Sequence, residues 1–278
     1  MTAPVFVYFE LSKFYQNHRS YVKSRSNNQL AGGVTASDTC DPLTGLGSVE
    51  LNPCGLVANS MFNDIIVVAA APDPYDPLSP HEYMVETDIS WASDRDDTFA
   101  QPDGFVSVEC ASINSCEGCL GSSSYSDCSS HIDDRTGLEY KYWYPEESLT
   151  QYLYETYPEV ISPIDGVMNE HFVVWMRTAA RSTFRNLYGR IEHDLVAPAT
   201  LTFNVTANFY VAVFGGTKSL ILATESPVGN TNAVLGGAFI AVGGACLMAG
   251  LVILSKFQAS PREFADSQFL ETVSTSKP

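Results

Sequence analysis

The sequence predicts a β-rich α+β domain of antiparallel sheets with helical excursions, followed by one C-terminal transmembrane helix. Three observations point there. Short apolar runs alternate with clusters of Gly, Pro, Ser and Asp, the pattern of strands joined by loops. Six cysteines, an even number, precede residue 233, and the seventh, Cys246, lies inside an apolar run. That run, Ala233–Ser255, is 23 residues long and carries no charge.

A helix of this length crosses about 30 Å of hydrocarbon. Lys256 and Arg262 follow it and Glu225 precedes it, so the positive-inside rule puts the tail in the cytosol. The expected organisation is an exoplasmic or lumenal domain over 1–232, the span over 233–255 and a cytosolic tail over 256–278. Met1–Leu11 has no basic region, and its apolar run is too short for a signal peptide or a span. With no signal to carry so large a domain across a membrane, the sequence reads as lacking its natural N-terminus. Within the span, Gly237, Ala241, Ala245 and Ala249 are four apart, and Gly236, Gly243 and Gly250 seven apart. Rows of small residues let helices approach closely in lipid, so Gly237, Ala241 and Ala245 are candidate contacts with neighbouring helices. The competing reading is composition alone, since Gly is common in spans.

Along the chain, residues 5–25 begin as a strand and run into the basic, aromatic segment FYQNHRSYVKSR. Residues 31–55 read as a loop, and GLVANSMFNDIIVVAAA is apolar enough to be buried. PDPYDPLSP holds four prolines in nine residues and excludes a regular element. Residues 82–144 read as strands and long loops, and 146–158 as a short helix closed by Pro158. NEHFVVWMRTAARSTFRNLYGRI is the best helical candidate, with a strand over Phe172–Trp175 running into it as the alternative, and 201–224 reads as two strands around the Gly215–Gly216 turn.

The formal charge of −17 argues against nucleic acid as a partner, because phosphate binding needs Lys and Arg in excess. Acidity concentrates between Ala71 and Asp165, where 20 carboxylates face only Arg95, Arg135 and Lys141. That stretch reads as a solvated surface, or as a docking surface for a basic loop. Cations gather instead at Lys13, Arg19, Lys23 and Arg25, and again at Arg177, Arg181, Arg185 and Arg190. Four-residue spacing of Arg177, Arg181 and Arg185 makes one stripe on a helix. These three are candidate contacts with acidic partner loops or lipid phosphates. The alternative is internal pairing of Arg177 and Arg185, with Arg181 solvated.

Cys40, Cys54, Cys110, Cys116, Cys119 and Cys128 suit disulfides in a lumenal domain. Cys116, Cys119, Cys128 and His131 also have the ligand types of a zinc site, but a lumenal setting and the leftover Cys110 favour two disulfides. Four cysteines allow three pairings, of which Cys110–Cys128 is the first choice. Asn204–Val205–Thr206 is a glycosylation sequon, and the alternation in LTFNVT turns Asn204 toward solvent. The five histidines lie in no hydrolase or metalloprotease motif, and Asp94, Asp96 and Asp97 lack the Gly and closing Glu of a calcium loop. They read as a solvated turn. No catalytic set, metal site or cofactor is expected.

PCGLVANSMFND (Pro53–Asp64) resembles the signature of the cell division control protein 50 family, accessory β-subunits of phospholipid-transporting P-type ATPases. FELSKFYQNHRSYVKSRS, ISWASD (Ile89–Asp94), VVWMRTAA with FRNLYGRIE (within Val173–Glu192), and FGGTKSLILATES with the Gly-rich span also resemble family strings, in the family's order. The resemblance implies a Cys40–Cys54 disulfide, two spans with cytosolic termini, and a first span before Met1. An in-frame apolar segment of about 20 residues is accordingly expected upstream. Arg181–Ser182 departs from the family's usual Leu-Pro, and Cys110–Cys128 holds extra cysteines. The implied function is non-catalytic: assisting endoplasmic-reticulum exit, stability and the transport cycle of a P-type ATPase partner, with membrane lipid as the other contact. The implied location is the endoplasmic reticulum, Golgi and plasma membrane, with the domain lumenal or extracellular. The rival reading is a single-pass receptor or adhesion module that binds a soluble ligand.

Overall fold

A computed structural model describes residues 1–35, 40–70, 83–110, 128–133, 136–145, 149–195, 200–224 and 233–259. The chain divides into two units, Met1–Pro227 and Val228–Pro278. The first unit opens with β1 (Val5–Leu11), whose residues alternate buried and half-buried as a strand with one face on a core must. Short helices α1 (Arg19–Lys23) and α2 (Asn27–Leu30) follow, then β2 (Gly45–Leu46), β3 (Val49–Asn52) and β4 (Ile65–Ala70). After α3 (Ala92–Asp97) come β5 (Val106–Cys110), β6 (Ser129–Ile132), β7 (Glu139–Trp143), β8 (Thr150–Tyr152) and α4 (Leu153–Thr156). The unit closes with α5 (Glu170–Met176), β9 (Phe184–Ile191), β10 (Thr202–Thr206) and β11 (Lys218–Ala223).

These strands make four small sheets, in the orders β11–β1–β9, β10–β4, β2–β3–β8 and β5–β7–β6. Every pairing is antiparallel except β3 with β8. The first sheet ties the chain's start to its late strands, with Phe9 opposite both Leu220 and Asn186. Its buried face (Val5, Val7, Phe9, Leu11) packs on Val57, Phe62 and the apolar side of α5, where Phe172, Val173 and Trp175 are almost wholly buried. Phe9 and Phe62 stack with ring centres 3.8 Å apart. A second cluster joins Tyr142, Tyr144 and Tyr152.

Five expectations are corrected. Among the described residues of 146–158 only Leu153–Thr156 is helical, and Thr150–Tyr152 is a strand; within 31–55, read as a loop, lie strands β2 and β3. Residues 169–191 are not one helix: α5 ends at Met176, and Phe184–Ile191 is a strand. Thr178, Ser182 and Thr183 disfavour helix, and β1 offers an edge along which Phe184 and Ile191 reach the core. Arg177, Arg181 and Arg185 therefore form no helical stripe. Likewise, β10 and β11 flank Gly215 but do not pair with each other; β10 pairs with β4 and β11 with β1. A 3-10 turn at Val211–Phe214 intervenes, ended by Gly215 at φ +63°, a conformation open to glycine. Finally, Asp94, Asp96 and Asp97 lie in α3, not in a turn.

The second unit contains α6 (Ala233–Ala259), within which Gly236–Ala259 is long and apolar enough to cross a membrane.

Candidate functional site

Cys40 and Cys54 form a disulfide, with Cα atoms 5.6 Å apart. It is buried with Leu51 and held from the side by two polar residues of the N-terminal segment. The Ser24 hydroxyl donates to the Cys40 carbonyl and accepts from the Leu56 N–H, both at 2.9 Å. Gln29, also buried, accepts the Cys54 N–H at 2.9 Å and donates to the Leu51 carbonyl at 3.1 Å. Gly55 follows at φ +102°, its Cα so close to the chain at Ser24 that a Cβ would lie 2.2 Å from that carbonyl oxygen. This explains why Cys and Gly stand together in PCGLVANSMFND: the close approach admits no side chain.

The same string and the start of β4 are anchored from α5, from the residue after α4 and from β9. Trp175 donates its indole N–H to the Val57 carbonyl at 2.8 Å. The hydroxyls of Tyr157 and Tyr188 accept the N–H groups of Met61 and Ile66 at 3.1 and 3.0 Å. Burial pushes the Tyr21 phenol up to about 12, and raises Tyr157 and Tyr188 as well. Asp64, at the string's end, is 2% exposed; it pairs with Lys218 of β11 at 2.5 Å and accepts the Phe209 N–H at 2.6 Å.

ISWASD is fastened to both ends of α5. At the first helical position, the Glu170 carboxylate accepts N–H bonds from Asp88 (2.7 Å), Ile89 (3.0 Å) and Ser90 (2.9 Å), and the Ser90 hydroxyl at 2.7 Å. Burial alone raises a carboxylate; here the Ser90 and Asp88 bonds and the Arg95 charge outweigh it and hold Glu170 below its ordinary value. At the other end, Arg177 pairs with Asp94 through two nitrogens and lies 5.0 Å over the exposed Trp91 ring. Hydrogen bonding by Arg177 lowers Asp94, against a smaller opposing effect of burial.

Of the other candidates, Arg185 pairs with Glu10 at 2.7 Å, and Arg181 is exposed with no ion pair among the described residues. Asn204 is exposed on β10. Cys110 and Cys128 are each disulfide-bonded, so Cys128 offers no thiolate to a metal; Cys116 and Cys119 lie outside the described residues. Among the described residues no group of three or more His, Cys, Asp or Glu is placed to hold a metal ion. Gly237, Ala241 and Ala245 are exposed along α6. Glu170, Gln29, Asp64 and Lys218 escaped the sequence reading. The one available signal was the position of Glu170 directly after Asn169, an N-cap signature.

A family model described as the LEM3 (ligand-effect modulator 3) family / CDC50 family matches residues 1–263. The chain is similar to cell cycle control protein 50A of Rattus norvegicus, 34% identical over 259 residues that cover 90% of this chain and 70% of that protein. It is similar also to putative ALA-interacting subunit 2 of Arabidopsis thaliana, 30% identical over 271 residues, covering 97% of this chain and 65% of that one. Cell cycle control protein 50B of Homo sapiens is 31% identical over 260 residues, with 90% and 66% covered. The chain thus spans about two thirds of the length of these relatives.

Proposed function

The chain belongs to the ligand-effect modulator 3 / CDC50 family, and from that premise we propose that it is a non-catalytic accessory subunit of a phospholipid-flipping P-type ATPase. The observation that carries this reading is the reach of the family match, residues 1–263, which takes in both the β-rich unit and the apolar helix. Relatives named as ALA-interacting subunits support a role in binding a second protein. On this reading ATP hydrolysis and lipid movement belong to the partner. The domain engages the partner's exoplasmic loops, α6 packs on its membrane helices, and the subunit assists exit from the endoplasmic reticulum, stability and the transport cycle. The domain then faces the lumen or the cell exterior, in the endoplasmic reticulum, Golgi or plasma membrane, and exposed Asn204 carries a glycan.

Two measurements test this. Affinity purification of the tagged chain in mild detergent is expected to recover a P-type ATPase, and depletion to lower uptake of fluorescent phospholipid. Purification of the chain without an ATPase, with uptake unchanged, would reject the subunit reading in favour of a receptor or adhesion module. Removal of N-glycans should shift the mobility of the wild-type chain but not of Asn204→Gln; no shift would put the domain on the other side of the membrane or leave the sequon unused.

A further inference from the structure

Two basic stretches more than 150 residues apart in the sequence meet on one face of the first unit. The Phe14 N–H donates to the Ser182 carbonyl at 3.0 Å. The Gln16 side chain accepts the Ala179 N–H at 2.8 Å, and Asn17 donates to the Ala180 carbonyl at 3.1 Å. Further along, Arg25 donates to the Met176 carbonyl at 3.3 Å. Segment 14–25 therefore runs beside 176–182, which sets Arg19, Lys23 and Arg25 against Arg177 and Arg181. Arg25 is half-buried and the other four are exposed. Within this group Arg177 is ion-paired with Asp94, and Arg25 is engaged within the fold.

Beside these cations opens a cavity of about 400 Å³. Its floor is apolar (Leu30, Phe99, Val173 and Met176, all buried), and Arg25 and the paired Arg177 and Asp94 also line it. Trp91, 57% exposed, extends the apolar surface under the Arg177 guanidinium. On a chain of net charge −17, such a concentration of cations attracts an anionic partner, and a recessed apolar floor gives that partner a side-chain socket. A flat array of lipid phosphates would meet the cations but leave the apolar floor unused. We propose that this face docks an acidic protein segment, with an apolar side chain in the cavity and flanking carboxylates on Arg19, Lys23 and Arg181. The proposal rests on the subunit reading and identifies where the partner's exoplasmic segment sits.

The test uses the full tagged chain in mild detergent. Wild type is compared with a double charge reversal, Arg19→Glu with Arg181→Glu, and with Thr98→Trp, which obstructs the mouth from an exposed position. Limited proteolysis checks that each variant folds, and Thr98→Trp decides the matter if the reversal does not. Recovery of the ATPase by wild type is expected to fall as salt rises from about 50 to about 500 mM, and each variant to recover about tenfold less at low salt. Equal recovery by wild type and folded variants would overturn the docking face and leave the subunit reading intact. Failure of wild type to recover an ATPase would overturn both. Reversal-sensitive binding to phosphatidylcholine–phosphatidylserine vesicles, with ATPase recovery unchanged, would overturn the protein partner in favour of a lipid surface.

Discussion

Glu170 is a single carboxylate that satisfies three consecutive backbone N–H groups and one hydroxyl. Its side chain is 15% exposed, so removing it strands donors that water reaches poorly. Glu170→Ala is expected to cost about 3 kcal/mol, read as a lower thermal midpoint. The sign of its pH dependence follows from its lowered value. Glu170 and Asp94 both titrate below their ordinary values, 4.5 and 3.8, so their contribution is complete above those values. It drains away as pH falls through the folded-state values. Thermal midpoints measured from pH 7 down to 3 should decline below about pH 4.5, and Glu170→Gln should flatten that decline; identical slopes would count against Glu170. Lys218 presents a related case: Lys218→Met leaves Asp64 buried with its charge unmet, a loss of about 3 kcal/mol by denaturant titration.

At the level of elements, Gly55 is the most exacting turn position. Gly55→Ala forces a Cβ to 2.2 Å from the Ser24 oxygen at a φ unsuited to side chains. The expected result is a domain that forms the Cys40–Cys54 disulfide inefficiently, read as free thiol in alkylation assays; full oxidation would refute the steric argument. In α6, Ala241→Leu with Ala245→Leu should reduce ATPase recovery while the domain's protease resistance stays unchanged. The first strand, the sequon strand and the span were legible because their patterns are local: a strand-like apolar start in VFVYFEL, alternation in LTFNVT, and an unbroken apolar run. The switch from α5 to β9 was not, because its cause is a partner strand about 180 residues away. A four-residue arginine spacing happened to imitate a helix period. The fastening of ISWASD on Glu170 and Arg177 was equally hidden, since both contacts span about 80 residues. The Cys40–Cys54 pairing came from family likeness; spacing alone left it open.

For the molecule as a whole, the decisive fact is that β1 lies between β9 and β11. The central strand of this sheet precedes both its neighbours in the chain by more than 170 residues. Long-range pairing of this kind delays the closing of the core, since loop closure must precede the contacts that reward it. Charge is distributed by the same closure: the fold brings together cations that the sequence keeps apart, while carboxylates crowd residues 71–165.

The β1–β11 pair also sets how the domain bears load. Because the strands are antiparallel, with Phe6 opposite Ala223 and Leu11 opposite Lys218, the domain's two ends leave from the same end of the pair. Tension between Val5 and Ala223 therefore opens the ladder one rung at a time instead of shearing all its rungs together. Optical-trap pulling from Val5 and Ala223 should yield this pair at lower force than pulling from Leu11 and Ala223. Equal forces would mean that another contact bears the load. The pair is thus the domain's compliant joint, the first contact to yield to tension applied at Val5 and Ala223.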